Sequence, residues 1–217
     1  MDETQIRQRI SATRKRLESA GRPAIDLPRA ARVAGDAPLS RYFDHTLLKP
    51  EATAERYRAL CAEARQLATR SVCVPPDRVG LCAAELAGSE VEVCTVIGFP
   101  LGYHSSSAKV REVEIAASAG ATEFDMVIPI GRMRDGDVEA VYDDVRAVVA
   151  AGGSMVVKVI LENALLDEPE RIDAAVAAVQ AGAAFIKTST GFASGGARVE
   201  DLRMFRLVAG DDRGVKA

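Results

Sequence analysis

From residue 41 onward, short apolar runs alternate with longer amphipathic stretches. The runs are "RYFDHTLL", "SVCVPP", "VEVCTVIGF", "EFDMVIPI", "VVKVILE", "AAFIKTST" and "GVKA". Between them lie segments with helical spacing, such as "ATAERYRALCAEARQLA" and "DEPERIDAAVAAVQAG". Strands that alternate with helices pair in parallel through right-handed crossovers, which leaves two α/β architectures. An open sheet that binds nucleotides carries a glycine-rich turn after its first strand. Here the first run leads into "KPEATAE", which has no glycine. The expected fold is therefore a (β/α)8 TIM barrel. Such a barrel closes with eight strands, and seven runs precede Ala217. The expectation is strands one to seven, with the barrel incomplete at Ala217.

Residues 1–40 stand apart from this pattern. A polar helix is expected over residues 1–20, with apolar positions at Ile6, Ile10 and Leu17. After it, "AGRPAIDLPRAARVAGDAPLS" is rich in Ala, Pro and Gly and reads as a linker or loosely packed arm. Residues 41–217 form the expected barrel domain. With 48% hydrophobic residues the chain can bury one sizeable core. A net charge of −3 argues against a nucleic-acid partner. No apolar run approaches the roughly 20 residues of a membrane span, and the charged N-terminus has no signal-peptide pattern. Cys61, Cys73, Cys82 and Cys94 form no CxxC pair, which fits reduced thiols and a cytoplasmic location. His45 and His104 are too few and too isolated for a zinc site, so no metal is expected.

The chemistry of the chain centres on its strand lysines. Lys187 sits inside "AAFIKTST", and Lys158 in "VVKVI" and Lys216 in "GVKA" hold matching positions one strand-and-helix unit to either side. A single lysine of this kind reads most simply as an edge residue, because burying an ammonium is costly. Three at equal intervals instead suggest side chains converging on a barrel axis. Alternation along a strand puts Phe185, Lys187 and Ser189 on one face, and Asp44, Thr46 and Leu48 on another. Asp125 shares a face with Val127, and Cys73 is the polar-capable position of "SVCVP". Taken singly, Asp44 and Asp125 read as turn or capping residues, and Cys73 as an ordinary buried thiol. Together they describe an interior of lysines and aspartates near the strand C-termini, where such barrels carry their chemistry.

A lysine at its usual pKa is neutral in roughly one molecule in a few thousand at neutral pH. A second ammonium about 6 Å away, at an effective dielectric near 20, adds a repulsion of roughly 3 kcal/mol. Lys187 is thus expected to be depressed by its lysine neighbours and primed to form a Schiff base, with Asp125 helping to move the proton.

These segments resemble the deoxyribose-phosphate aldolases, a class I aldolase family, from about residue 41 to the end. The motifs that carry the resemblance are "FDHTLLKPEAT", "SVCVPP", "CTVIGFPLG", "EFDMVIPIG", "VKVILE", "FIKTSTGF" and "GVKA". The resemblance implies that Lys187 forms the Schiff base with acetaldehyde, while Lys216 lowers its pKa and joins the proton transfer. It assigns Asp125 to the proton relay. It also implies that Asp44, Thr46, Cys73, Lys158, Thr188, Ser189, Thr190 and Gly191 line the substrate site. The implied reaction is the reversible cleavage of 2-deoxyribose 5-phosphate to glyceraldehyde 3-phosphate and acetaldehyde, in deoxyribose phosphate catabolism, with no metal and no organic cofactor. Nucleic acid and membrane are not expected as partners, and a homo-oligomer stays open. The family continues after "GVKA" with the eighth strand and the loops that hold phosphate, so closure and phosphate binding are expected beyond Ala217. Two alternatives stand beside this one, another Schiff-base barrel aldolase with a different substrate, and a non-catalytic fragment.

Overall fold

The computed structural model describes residues 1–25 and 37–217. The middle of the expected linker, residues 26–36, lies outside the described residues. The elements run α1 (Glu3–Ser19), β1 (Asp44–Thr46), α2 (Ala54–Leu67), β2 (Ser71–Val74), α3 (Val79–Glu85) and β3 (Glu92–Ile97). There follow α4 (Ser106–Ser118), β4 (Glu123–Val127), α5 (Ile130–Arg134), α6 (Val138–Gly152) and β5 (Val156–Ile160). The chain continues through α7 (Glu168–Gln180), β6 (Phe185–Lys187), α8 (Val199–Ala209) and β7 (Gly214–Lys216).

All seven strands belong to one parallel sheet in sequence order. Lys216 on β7 reaches Asp44 on β1, with 2.5 Å between Nζ and Oδ2. The sheet therefore curls until its first and last strands face each other across an ion pair. This is the α/β barrel type expected from the sequence, present here as seven strands. The strands are shorter than the apolar runs. "RYFDHTLL" gives a 3-10 turn over Leu39–Tyr42 and only three strand residues. "SVCVPP" stops at Val74, because proline cannot donate to a ladder.

Alternation along the strands divides the interior in two. Val72, Val74, Val93, Ile97, Phe124, Met126, Val157, Val159 and Ile186 point outward into the main core beneath the helices. Cys73, Cys94 and Val96 form a separate small cluster on the other face. The residues that alternate with the outward set on β4 to β7 include Glu123, Asp125, Lys158, Lys187 and Lys216, and that is what sets up the site. At Gly214 a Cβ would lie 2.0 Å from the Phe185 ring, so only glycine lets that ring cross β7.

Helix α1 starts with a capping box between Asp2 and Gln5, which satisfies two otherwise orphaned N–H groups. Its buried stripe of Ile6, Ile10, Thr13 and Leu17 recurs every three or four residues and joins the main core. Thr13 donates to Asp173 of α7 at 2.6 Å, and Arg9 pairs with the same carboxylate. Helices α4 and α6 are pinned to the end of β4 by Lys109, which is fully buried. Its ammonium lies 2.6 Å from Asp144 and donates to the Val127 carbonyl at 2.9 Å. The four cysteines are free and buried. No helix among the described residues is long and apolar enough to cross a membrane.

Candidate active site

Strands β4 to β7 and β1 bring three lysines and three carboxylates together inside the curl of the sheet. Lys187, at the C-terminal end of β6, lies 2.5 Å from Asp125 Oδ2 on β4. The other oxygen of Asp125 takes Lys158 of β5 at 2.9 Å. Lys158 also lies 2.7 Å from Glu123 Oε2 and 3.4 Å from Asp44 Oδ2. Asp44 in turn faces Lys216. The chain of contacts therefore runs Lys187, Asp125, Lys158, Asp44, Lys216, with Glu123 as a branch at Lys158. Arg70 meets the other oxygen of Glu123 at 2.9 Å, so each of the three carboxylates has at least one cationic partner, which is how buried ions become tolerable.

Exposure separates the lysines. The side chain of Lys158 is 3% exposed, while those of Lys187 and Lys216 are 16% and 21% exposed. Only the latter two offer an amine that a substrate can reach. They are neighbours in register, with Lys187 opposite Lys216 and Ile160 opposite Lys187.

The electrostatics differ from the sequence expectation in one respect. Burial alone would depress the Lys187 ammonium, but Asp125 outweighs it and holds the pKa above the ordinary lysine value. The expected depression by a lysine neighbour is thus not the resting state. A carboxylate stands beside each lysine, and the ion pair is stronger than the lysine–lysine repulsion. Burial likewise pushes Asp125 up, yet Lys158 and Lys187 together hold it far below the usual carboxylate range. Asp44 is lowered too, by Lys158 and then Lys216, against the effect of its burial. Lys158 is held well above the lysine range, since Asp125, Asp44 and Glu123 overcome its complete desolvation.

Of the remaining residues expected at the site, Cys73 is buried beside the cluster. Its sulfur, that of Cys94 and an oxygen of Asp125 lie within 4.8 Å of one another. These three donors suit a metal poorly, because Lys187 and Lys158 occupy both oxygens of Asp125, and burial drives the Cys94 thiol up. Thr46 is exposed and donates its hydroxyl to the Asp44 carbonyl at 2.8 Å, so it is not brought into the cluster. The turn after β6 begins with Thr188, which is buried, and ends at Gly191 with φ of +81°, a conformation that favours glycine. Ser189 donates to Thr188 Oγ1 at 3.0 Å. Thr190 is held by Glu162, which accepts from both its backbone N–H and its hydroxyl.

Two carboxylates here were not singled out in the sequence. Glu162 ends "VILE" and is 2% exposed, with φ of +56°, an uncommon backbone state for a residue with a side chain. Glu123 stands two residues before Asp125 on the same face of β4, and that alternation is the signal that points to it. His45 and His104 lie outside the cluster. His45 bonds to Glu63 at 2.8 Å on α2, and His104 lines a separate cavity with Tyr103 and Asp144.

Comparison with known proteins agrees with this geometry. Residues 39–213 match the family model described as DeoC/LacD family aldolase. A deoxyribose-phosphate aldolase of Brevibacillus brevis is 50% identical over 179 residues, covering 82% of this chain and 81% of that protein. One from Clostridium perfringens is 51% identical over 180 residues, covering 82% and 80%. Among solved structures, a tetrameric deoxyribose phosphate aldolase from Aeropyrum pernix has a TM-score of 0.76 at 34% identity, covering 82% of this chain and 76% of that one. An aldolase named QR15 has a TM-score of 0.78 at 35% identity, covering 82% and 80%. The chain is an enzyme, a carbon–carbon lyase, and it belongs to the DeoC/LacD family of aldolases.

Proposed function

We propose that this chain is a Schiff-base aldolase that reversibly cleaves 2-deoxy-D-ribose 5-phosphate to D-glyceraldehyde 3-phosphate and acetaldehyde, with Lys187 as the nucleophile. The observation that carries the reading is Lys187 itself, a reachable amine at a strand C-terminus, hydrogen-bonded to a buried and ionised Asp125. The named activity of the relatives supports the substrate.

The Lys187 proton first moves along its hydrogen bond toward Asp125, freeing the lone pair. Attack on the C1 aldehyde and loss of one water then give an iminium. An ammonium and an aldehyde become an iminium and water with no change in charge, so Asp125 faces a cation at both ends of the step. Removal of the C3 hydroxyl proton lets the C2–C3 bond break. Its electron pair enters the iminium to give an enamine, and the three-carbon aldehyde phosphate leaves. A proton then adds at C2, and water hydrolyses the new iminium to release acetaldehyde and Lys187. The proton lost from the C3 oxygen balances the one gained by C2. Asp125 and the Lys216–Asp44 pair are the groups we assign to these transfers. Cys73, Lys158 and the turn Thr188–Gly191 are the further residues we assign to the surroundings of the substrate, whereas Thr46, turned to the Asp44 carbonyl, is not supported as one of them. Activity needs no metal in this scheme. The tetrameric relative supports a homo-oligomer, and we assign the chain to deoxyribose phosphate catabolism in the cytoplasm.

The test is reductive trapping. Sodium borohydride with acetaldehyde should inactivate the enzyme and leave an ethyl adduct on Lys187. An adduct on Lys158 or Lys216 instead would reverse the assignment.

A further inference from the structure

Glu123 is the one carboxylate of the cluster that the chemistry above does not use. It opens β4 and is 2% exposed. One oxygen lies 2.7 Å from Lys158 Nζ. The other accepts two N–H groups of Arg70, at 3.0 Å from Nε and 2.9 Å from Nη2. Arg70 is in turn fixed just ahead of β2, where its backbone N–H donates to the Phe43 carbonyl at 3.0 Å. A buried carboxylate braced this way by a fork-shaped guanidinium has little freedom, and its other oxygen holds the Lys158 ammonium from the start of β4.

We propose that Glu123 is a positioning residue for the aldolase reaction. By sharing Lys158 with Asp125, it sets how much of the Asp125 charge is left for Lys187, and so the pH at which Lys187 yields its proton. This inference rests on the Schiff-base reading of Lys187.

The groups that face the relay from each strand fix the direction. Lys158 is met by Asp44 from β1, by the Cys94 thiol from β3 at 3.3 Å, and by Glu123 and Asp125 from β4. Lys187 is met by Asp125 and by Cys73 from β2, and Lys216 of β7 faces Asp44. Neutralising Glu123 leaves three lysines and Arg70 against two carboxylates. The excess positive charge then makes Lys187 give up its proton more readily. Removing the Lys158 charge does the reverse.

The experiment measures the rate of borohydride-trapped ethyl adduct on Lys187 against pH, with the full chain and acetaldehyde as probe. Glu123→Gln should move the midpoint down by about one pH unit, the size expected of one charge acting through a protein interior. Lys158→Met should move it up. Glu123→Asp, which keeps the charge, should return close to the parent, and the double variant Glu123→Gln/Lys158→Met should fall between the two singles. Unmoved midpoints, or shifts of the two singles in the same direction, would overturn the proposal and leave Glu123 as a structural ion. Circular dichroism checks folding of each variant. If Glu123→Gln does not fold, the double variant is compared with Lys158→Met, and an equal midpoint in that pair overturns the proposal as well. Failure to label Lys187 in the parent chain would instead defeat the Schiff-base reading.

Discussion

Asp125→Asn tests the balance of the cluster most directly. Asp125 is fully buried and holds Lys187 at 2.5 Å and Lys158 at 2.9 Å, one on each oxygen. Two unit charges about 4 Å apart attract by about 4 kcal/mol at an effective dielectric of 20. An asparagine oxygen still accepts one hydrogen bond, but both ammonium groups lose their counter-charge. The expected net loss is about 3–5 kcal/mol, the range for breaking a buried ion pair. In a chain of this size each kcal/mol moves the Tm by roughly 2–4 °C, so the variant should melt about 6–20 °C lower near neutral pH.

The pH dependence gives a sharper signature. In the parent, Lys187 is held above its ordinary value, so its stabilisation is complete below the unfolded lysine pKa and is lost only as pH rises through the raised one. Asp125 is held low, so its share is present above the unfolded carboxylate pKa and is lost as the solution becomes acidic. Between these limits the pair makes stability insensitive to pH. In the variant, burial of Lys187 is no longer opposed by Asp125, and its folded pKa should fall below the unfolded value. The unfolded state then binds more protons, so the variant should gain stability as pH rises from mildly acidic to mildly alkaline. Thermal melts followed by circular dichroism at several pH values measure both effects. A variant that melts within about two degrees of the parent, with the same flat pH profile, would refute the idea that Asp125 neutralises two lysines.

Lys216→Met should lower turnover of 2-deoxyribose 5-phosphate by roughly two to three orders of magnitude, the usual worth of a proton-transfer group. It should still permit trapping of acetaldehyde on Lys187, and a steady-state rate within threefold of the parent would remove Lys216 from the relay. Lys109→Met leaves Asp144 buried with Ser106 as its remaining bond, 2.6 Å away, and should cost about 3–5 kcal/mol in denaturant melts. Adding Asp144→Leu should restore most of that loss, since an apolar pair can replace a buried ion pair. A double variant as unstable as the single would locate the damage elsewhere, for instance in the close packing of Lys109 on Gly98.

The barrel and its lysines were legible in the sequence because both repeat with the strand-and-helix unit. A parallel strand alternates faces, so "EFDMV", "VVKVI" and "FIK" each reveal which residues leave the main core. Alternation gives a residue's face but says nothing of its partner. Asp125 on β4 and Lys187 on β6 are separated by a whole strand, and only the curl of the sheet brings them to 2.5 Å. That is why repulsion between lysines looked like the tuning device when, at rest, attraction to carboxylates prevails. Glu162 was illegible for another reason, since its role depends on a left-handed backbone and a clamp on Thr190 that no local pattern announces. The correction changes the chemistry. A lysine made neutral by its neighbours would start without charge and would have to become a cation at the iminium, against those same neighbours. In the proposed reaction, Lys187 paired with Asp125 starts as a cation and reaches the iminium as a cation, so one carboxylate would stabilise both states. On that proposal the amine must give up a proton before it can attack. That proton release is the step we propose the charges around Lys158 to tune.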